Sequence, residues 1–218
     1  MKRCVIFCAG EIGPQAVARC APGPEDFLIG ADGGYRTAQA LGFSPHLILG
    51  DFDSAPAPDD PAVLRFPAHK DDTDCLLAVR EGLDRGYRDF VLLGAAGGRL
   101  DHTLANLQTL LFLKEHDADG VLLDEGHTVR ALRNEARTIP RFRGYLSVFA
   151  LGGTCRVTLE GMEYPLQDHL LTPGYPLGVS NHIREATGTV TARDGALLLV
   201  CCREDAPETS VNEGGTTP

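Results

Sequence analysis

Residues 4–123 alternate between short, continuously apolar runs and amphipathic stretches, and this alternation constrains the fold more than any other feature of the chain. Cys4–Cys8, Phe27–Ile29, Leu47–Leu49, Phe90–Leu93 and Val121–Leu123 read as strands, with a weaker run at Val63–Phe66. Between them, Pro14–Cys20, Tyr35–Leu41, Asp74–Arg85 and Asp101–Glu115 read as helices. Pro14 suits a first helical turn, and Gly42 and Gly86 suit a helix stop. Leu76, Leu77, Val79 and Leu83 form the expected apolar face of the third helix, and Leu100, Leu104, Leu107 and Leu111 that of the fourth. Apolar strands alternating with helices specify a parallel sheet covered on both faces.

Near residue 125 the helical period disappears. Short strand-like runs follow at Thr128–Arg133, Leu146–Leu151, Cys155–Leu159, Leu177–Val179, Thr189–Ala192 and Leu197–Cys201. Gly152-Gly153, Pro173-Gly174 and Asp194-Gly195 punctuate them, and Asp-Gly between two strand runs is a hairpin signal. The expected fold is therefore α/β plus all-β. Residues 1–125 form a Rossmann-like parallel sheet with helices on both faces, and residues 126–203 an antiparallel β-sandwich. The polar tail 204–218 is expected to be disordered.

With 20 Lys+Arg against 30 Asp+Glu, the net charge of −10 disfavours nucleic acid and anionic membranes as partners. The basic-then-apolar start, Met1–Cys8, breaks at Gly10-Glu11 and is too short for a signal sequence, and no later run approaches a membrane span. A cytoplasmic protein is expected. The seven cysteines lack zinc-like spacing and read as reduced, small hydrophobes, with Cys201 and Cys202 on opposite faces of one strand. His46, His69, His116, His127, His169 and His182 read as ordinary surface or loop residues.

Four acidic, glycine-rich segments follow the apolar runs: Gly30-Ala31-Asp32-Gly33-Gly34, Gly50-Asp51-Phe52-Asp53-Ser54, Lys70-Asp71-Asp72-Thr73-Asp74, and Gly94–Asn106. Ligands of open parallel sheets bind beyond the carboxyl ends of the strands, so these segments can converge. Gathered carboxylates require a cation. Asp32, Asp51 and Asp53 are hard oxygen donors of the kind Mg²⁺ takes together with phosphate and water. An extended Asp51-Phe52-Asp53 puts both carboxylates on one side. Asp71 and Asp74 share a face at a helix start, where Asp71 or Asp72 also suits an N-cap. In Gly94–Asn106, glycines allow close approach of a phosphate, the helix start offers N–H donors, and Arg99 adds a bidentate charge. His102 and Asn106 face the same way. Neither a Walker loop nor a dinucleotide fingerprint is present. The residues alone admit metal-assisted phosphoryl transfer, a metal-dependent phosphoesterase, or a non-catalytic nucleotide sensor.

The ordered set GADGG (30–34), GDFDS (50–54), KDDTD (70–74) and GAAGGRLDHTLAN (94–106), with Gly178-Val179-Ser180-Asn181 further on, resembles the thiamine pyrophosphokinase family. The resemblance implies transfer of a pyrophosphoryl group from ATP, as co-substrate with Mg²⁺, to the thiamine hydroxyl, releasing AMP. It also implies a homodimer with shared active sites. By position, Asp51, Asp53, Asp71 and Asp74 would hold Mg²⁺ and the triphosphate. Asp32, Gly33 and Gly34 would line the nucleotide site, with Thr73, Gly97, Gly98, His102 and Asn106 among the binding residues. Arg99 would bind phosphate, Asp101 would sit near the attacking hydroxyl, and Ser180 and Asn181 would contact thiamine. His182 departs from the acidic residue that the family often carries after Ser-Asn.

Overall fold

The computed structural model describes residues 2–50, 63–65 and 72–204. Six strands form the parallel part of the molecule: β1 (Cys4–Phe7), β2 (Phe27–Ala31), β3 (Leu47–Gly50), β4 (Val63–Arg65), β5 (Asp89–Leu93) and β6 (Asp119–Leu123). They pair in the order β4-β3-β2-β1-β5-β6. The chain thus builds outward from β1 in one direction, then returns to the other side of β1 and builds outward again. The strand order reverses between β1 and β5, whose register is Cys4 to Phe90 through Phe7 to Leu93.

Four helices cover this sheet: α1 (Pro14–Cys20), α2 (Gly34–Ala40), α3 (Asp74–Asp84) and α4 (Leu100–Glu115). Side chains alternate across a strand, so β1 feeds both faces. Val5 and Phe7 pack with Ala16, Cys20 and Ala38 of α1 and α2. Cys4 and Ile6 pack with Cys75, Ala78, Val79, Leu110 and Leu113 of α3 and α4. Full burial of a Leu or Phe side chain contributes roughly 1.5–3 kcal/mol, so these two layers carry much of the folding energy.

The buried faces differ from those expected. On α4, Leu100 and Leu104 are 71% and 54% exposed, while Asn106, Thr109, Leu110 and Leu113 are buried. Counting leucines at helical spacing chose a face rotated away from the core, because the true face includes two polar residues. On α3 the buried residues are Cys75, Ala78, Val79 and Gly82, with Leu77 and Leu83 partly buried beside them. The expected N-cap also moves. Thr73 caps α3, its Oγ1 accepting from the Leu76 N–H at 3.3 Å.

The parallel sheet does not end at residue 125. β6 pairs antiparallel with β7 (His127–Arg133), and β13 (Ala196–Arg203) and β9 (Gly144–Leu151) continue outward, giving one nine-stranded sheet. A second, antiparallel sheet of four strands has the order β11 (Leu166–Leu171), β10 (Cys155–Glu160), β12 (Thr187–Arg193), β8 (Ala136–Pro140). Leu132, Leu146, Val148, Leu197 and Leu199 of the first sheet share a core with Val157, Leu159, Leu171, Val190 and Ala192 of the second.

Sequence reasoning missed β8 and β11. Both are edge strands of the smaller sheet, and their sequences, ARTIP and LQDHLL, lack the continuous apolar signal of an interior strand. The expected strand Leu177–Val179 is instead irregular. Asp194-Gly195 joins β12 in one sheet to β13 in the other, so this Asp-Gly does not close a hairpin of paired strands. All seven cysteines are free; Cys201 is buried and Cys202 half-buried, as alternation along β13 requires. Among the described residues no helix is long and apolar enough to cross a membrane.

Candidate active site

A cavity of about 310 Å³ opens where the strand order reverses. Its walls come from four places in the chain: Cys8–Gly10 after β1, Ala31 and Asp32 after β2, Thr73–Cys75 at the start of α3, and Gly94–Asn106 around the turn from β5 into α4. Strand ends on either side of a reversal diverge toward different crossover helices, which leaves a crevice between them. Here the backbones of the two central strands stay joined at the floor. Cys8 N–H donates to the Leu93 carbonyl at 2.8 Å, and Gly10 N–H to the Gly94 carbonyl at 3.0 Å.

Asp32 enters the cavity from a left-handed backbone, φ 48°, one residue beyond β2. Asp tolerates that conformation better than most residues, and its N–H is held by the Leu49 carbonyl at 2.7 Å. Gly34 lies behind it, at the start of α2. A Cβ there would come 2.0 Å from the Phe7 carbonyl oxygen, so glycine lets α2 seat directly on β1. Asp74 stands in the first turn of α3, where the helix dipole favours negative charge. Asp72 is turned to Arg80, 2.8 Å away.

The β5–α4 turn supplies the opposite wall. Gly97 and Gly98 adopt φ values of 84° and 63° with open space around both, so conformation rather than room demands glycine. Asn106 is buried, and its Nδ2 donates to the Ala95 carbonyl at 2.8 Å, tying the turn to α4. Arg99 and Asp101 form an exposed bidentate pair, Nε to Oδ1 at 3.1 Å and NH2 to Oδ2 at 2.5 Å. The hydrogen bond from Arg99, aided by the His102 N–H, holds the Asp101 carboxyl below the usual carboxylate range, and the same contact raises the Arg99 guanidinium.

The structure therefore gathers Asp32, Thr73, Asp74, Gly97, Gly98, Arg99, His102 and Asn106 around one cavity. Asp101 adjoins it through Arg99. Asp51, Asp53 and Asp71 lie outside the described residues. Ser180 and Asn181 are not among the cavity's lining. They belong to a segment that follows the free edge of β9, with Asn181 and Leu146 exchanging backbone hydrogen bonds at 2.8 and 2.9 Å. The Asn181 side chain is buried and committed to backbone: Oδ1 accepts from Tyr164 and His182, and Nδ2 donates to the Tyr164 carbonyl. Ser180 has φ 60°, and its N–H donates to Ser147 Oγ at 3.0 Å.

Sequence reasoning overlooked Cys8, Ala9 and Gly10. They carry no charge, and in the sequence Gly10 marks only the end of an apolar run. The available signal was positional: Gly10 follows a strand just as the glycines of the other motifs do.

Among the described residues, no group of three or more His, Cys, Asp or Glu side chains is assembled to hold a metal. Asp32 and Asp74 are the described carboxylates lining the cavity. Mg²⁺ ordinarily takes one or two carboxylates and fills its remaining positions with phosphate oxygens and water, so this donor set fits it.

Comparison with known proteins bears directly on this cavity. Residues 23–122 match the family model described as "Thiamin pyrophosphokinase, catalytic domain", and residues 127–197 match "Thiamin pyrophosphokinase, vitamin B1 binding domain". A thiamine pyrophosphokinase of Bacillus subtilis (strain 168) is 29% identical over 182 residues, covering 79% of this chain and 85% of the relative. The crystal structure of thiamine pyrophosphokinase from Bacillus subtilis superposes with a TM-score of 0.83 at 26% identity, covering 94% of this chain and 100% of that one. The corresponding structure from Geobacillus thermodenitrificans gives a TM-score of 0.79 at 28% identity, covering 94% and 99%. Two consecutive family models, matching both halves of the chain in order, show that it belongs to the thiamin pyrophosphokinase family.

Proposed function

We propose that the protein transfers the pyrophosphoryl group of ATP to the hydroxyl of thiamine, giving thiamine diphosphate and AMP, with Mg²⁺ as the metal. The observation that carries this reading is the convergence of Asp32, Asp74, Arg99 and His102 with the glycine turn at one cavity. Acidic metal ligands, a phosphate-binding turn and a cation are the parts that phosphoryl transfer requires, because such catalysis is mostly positioning and charge neutralisation.

Asp32 and Asp74, together with Asp51, Asp53 and Asp71, would hold the metal and triphosphate. When bound, Mg²⁺ neutralises phosphate charge and aligns the β-phosphorus for attack. The turn residues Gly97 and Gly98 admit the phosphates close to backbone, and Arg99 engages their oxygens. The thiamine oxygen forms a bond to the β-phosphorus as the bond from that phosphorus to the α,β-bridging oxygen breaks, and AMP leaves with the bridging oxygen. Asp101 is positioned to take the hydroxyl proton. While paired with Arg99 it is a weak base. When phosphate oxygens draw the guanidinium away, the stabilisation of its charged form falls and its basicity rises. Ser180 and Asn181 would shape the thiamine side, the latter by holding the 163–182 backbone. In a homodimer this segment would complete the site of the partner subunit.

Incubation with ATP, MgCl₂ and thiamine should yield AMP and thiamine diphosphate in equal amounts. Phosphate release independent of thiamine would instead support a phosphoesterase. Asp74→Asn should lower turnover at least about tenfold, equivalent to losing roughly 1.4 kcal/mol at the transition state; wild-type turnover would remove Asp74 from the metal site. Light scattering should give twice the chain mass, and a fully active monomer would rule out shared sites.

A further inference from the structure

A second recess, of about 180 Å³, lies between β7, β8 and β13 and shares no residue with the cavity at the strand ends. Thr128 and Arg130 of β7, Arg137 and Ile139 of β8, and Leu199 and Arg203 of β13 line it. In an acidic protein, three guanidinium groups from three strands meet around a partly apolar pocket. Arg130 is opposite Leu199 in the β7–β13 register, so the charge and the apolar wall stand side by side.

These charges are incompletely balanced. Asp119 pairs with Arg137 at 2.8 Å and Arg130 at 3.6 Å and shares Lys114, at 3.2 Å, with Glu135 at 2.6 Å. Burial first, and then repulsion from Arg137, pull the Arg130 guanidinium below its ordinary value, with Asp119, Asp89 and Glu135 offsetting only part of this. An arginine stays charged at neutral pH regardless, so the imbalance persists as an electrostatic cost. Arg137 commits NH2 to Asp119, while its Nε is buried and has no hydrogen-bond partner among the described residues. Arg203 stacks over Phe142 at 4.9 Å and has no ion-pair partner among the described residues. Thr128 Oγ1 accepts from Arg19 at 3.2 Å, and its own proton has no acceptor among the described residues.

We propose that this recess binds a small phosphate-class oxyanion. Three guanidinium forks and a hydroxyl line the recess with no carboxylate among its lining residues, whereas a tetrahedral oxyanion presents acceptors in several directions. Its charge offsets the repulsion between Arg130 and Arg137. By contacting β7 and β13 of the large sheet and β8 of the small one, it ties the two sheets together. The site is independent of the kinase reading and stands or falls separately from it.

The test is a titration of the ¹⁵N-labelled full chain with inorganic phosphate at constant ionic strength, followed by backbone amide shifts. Saturable shifts are expected at residues 128–131, 137–139 and 199–203, in addition to any at 94–106 from the cavity. They should persist in Arg99→Ala. Arg203→Gln, at an exposed strand end, and Arg137→Lys, which keeps the charge but loses the fork, should each weaken the apparent Kd for these shifts at least about tenfold. Shifts confined to residues 94–106, an equal response to chloride, or unchanged affinity in both variants would overturn the proposal.

Discussion

Single residues show why part of the site is readable in one dimension. Asp32, Asp74, Arg99 and His102 stand out because each is a charged or titratable side chain beside glycine or at a helix start. Cys8 and Ala9 line the same cavity but look like any other small apolar residues. A structural pair away from the site gives a test at this scale. Asp26 accepts from Arg3 Nε at 3.0 Å, from Arg3 NH2 at 2.5 Å and from the Gly23 N–H at 2.9 Å. The Arg3 hydrogen bond is the main reason its carboxyl is held below the ordinary value. A carboxyl depressed on folding stabilises the native state above its unfolded value, roughly pH 4, and that stabilisation is lost as pH falls through the lower folded value. Asp26→Asn should therefore cost about 1.5–3 kcal/mol at pH 7 by urea denaturation. The gap between wild type and variant should narrow progressively below about pH 4. A constant gap from pH 7 to pH 3 would show that the Asp26 charge is not the source.

Elements were legible to different degrees for physical reasons. The strands β1, β2, β3, β5 and β6 are buried on both faces, so each left a continuous apolar run. β8 and β11 are edges, paired on one side and largely solvated, and left none. On α4, Asn106 is buried where it tethers the glycine turn and Thr109 is buried with its hydroxyl donated to the Ala105 carbonyl, while Leu100 and Leu104 remain exposed. Leucine counting therefore misjudged the face. Leu110→Ala should cost about 2–5 kcal/mol in chemical denaturation. Leu104→Ala, at an exposed position, should stay within about 0.5 kcal/mol of wild type. The reverse ranking would restore the face expected from leucine spacing. At the start of α3, Thr73→Ala removes the acceptor for the Leu76 N–H and should cost about 1 kcal/mol by thermal denaturation.

The molecule as a whole is joined by one sheet rather than by a linker. β6 passes into β7 through a short turn, and β13 returns from the second half of the chain to lie between β7 and β9. Three clusters of buried residues span this sheet, and residues of β7 and β13 contribute to two of them. Melting either half therefore strips backbone partners from the other. Differential scanning calorimetry should show a single transition whose calorimetric and van't Hoff enthalpies agree. Two resolved transitions would show that the halves unfold independently despite the shared sheet.

The order of amino acids suffices to reveal parallel strands and crossover helices followed by β structure, with acidic glycine turns recurring at the strand ends. Both are local properties: periodicity reflects how an element meets its neighbours, and a turn's glycines reflect its own backbone. Which strand ends meet is a property of the folded chain alone. The reversal between β1 and β5 is set by pairings between residues more than eighty positions apart, and it alone makes neighbours of Gly10, Asp32, Asp74 and Arg99. The folded chain also decides that both halves share one sheet and that Asp194-Gly195 crosses between sheets. Strand pairing is chosen by the total apolar surface buried, and no local window of sequence contains that sum.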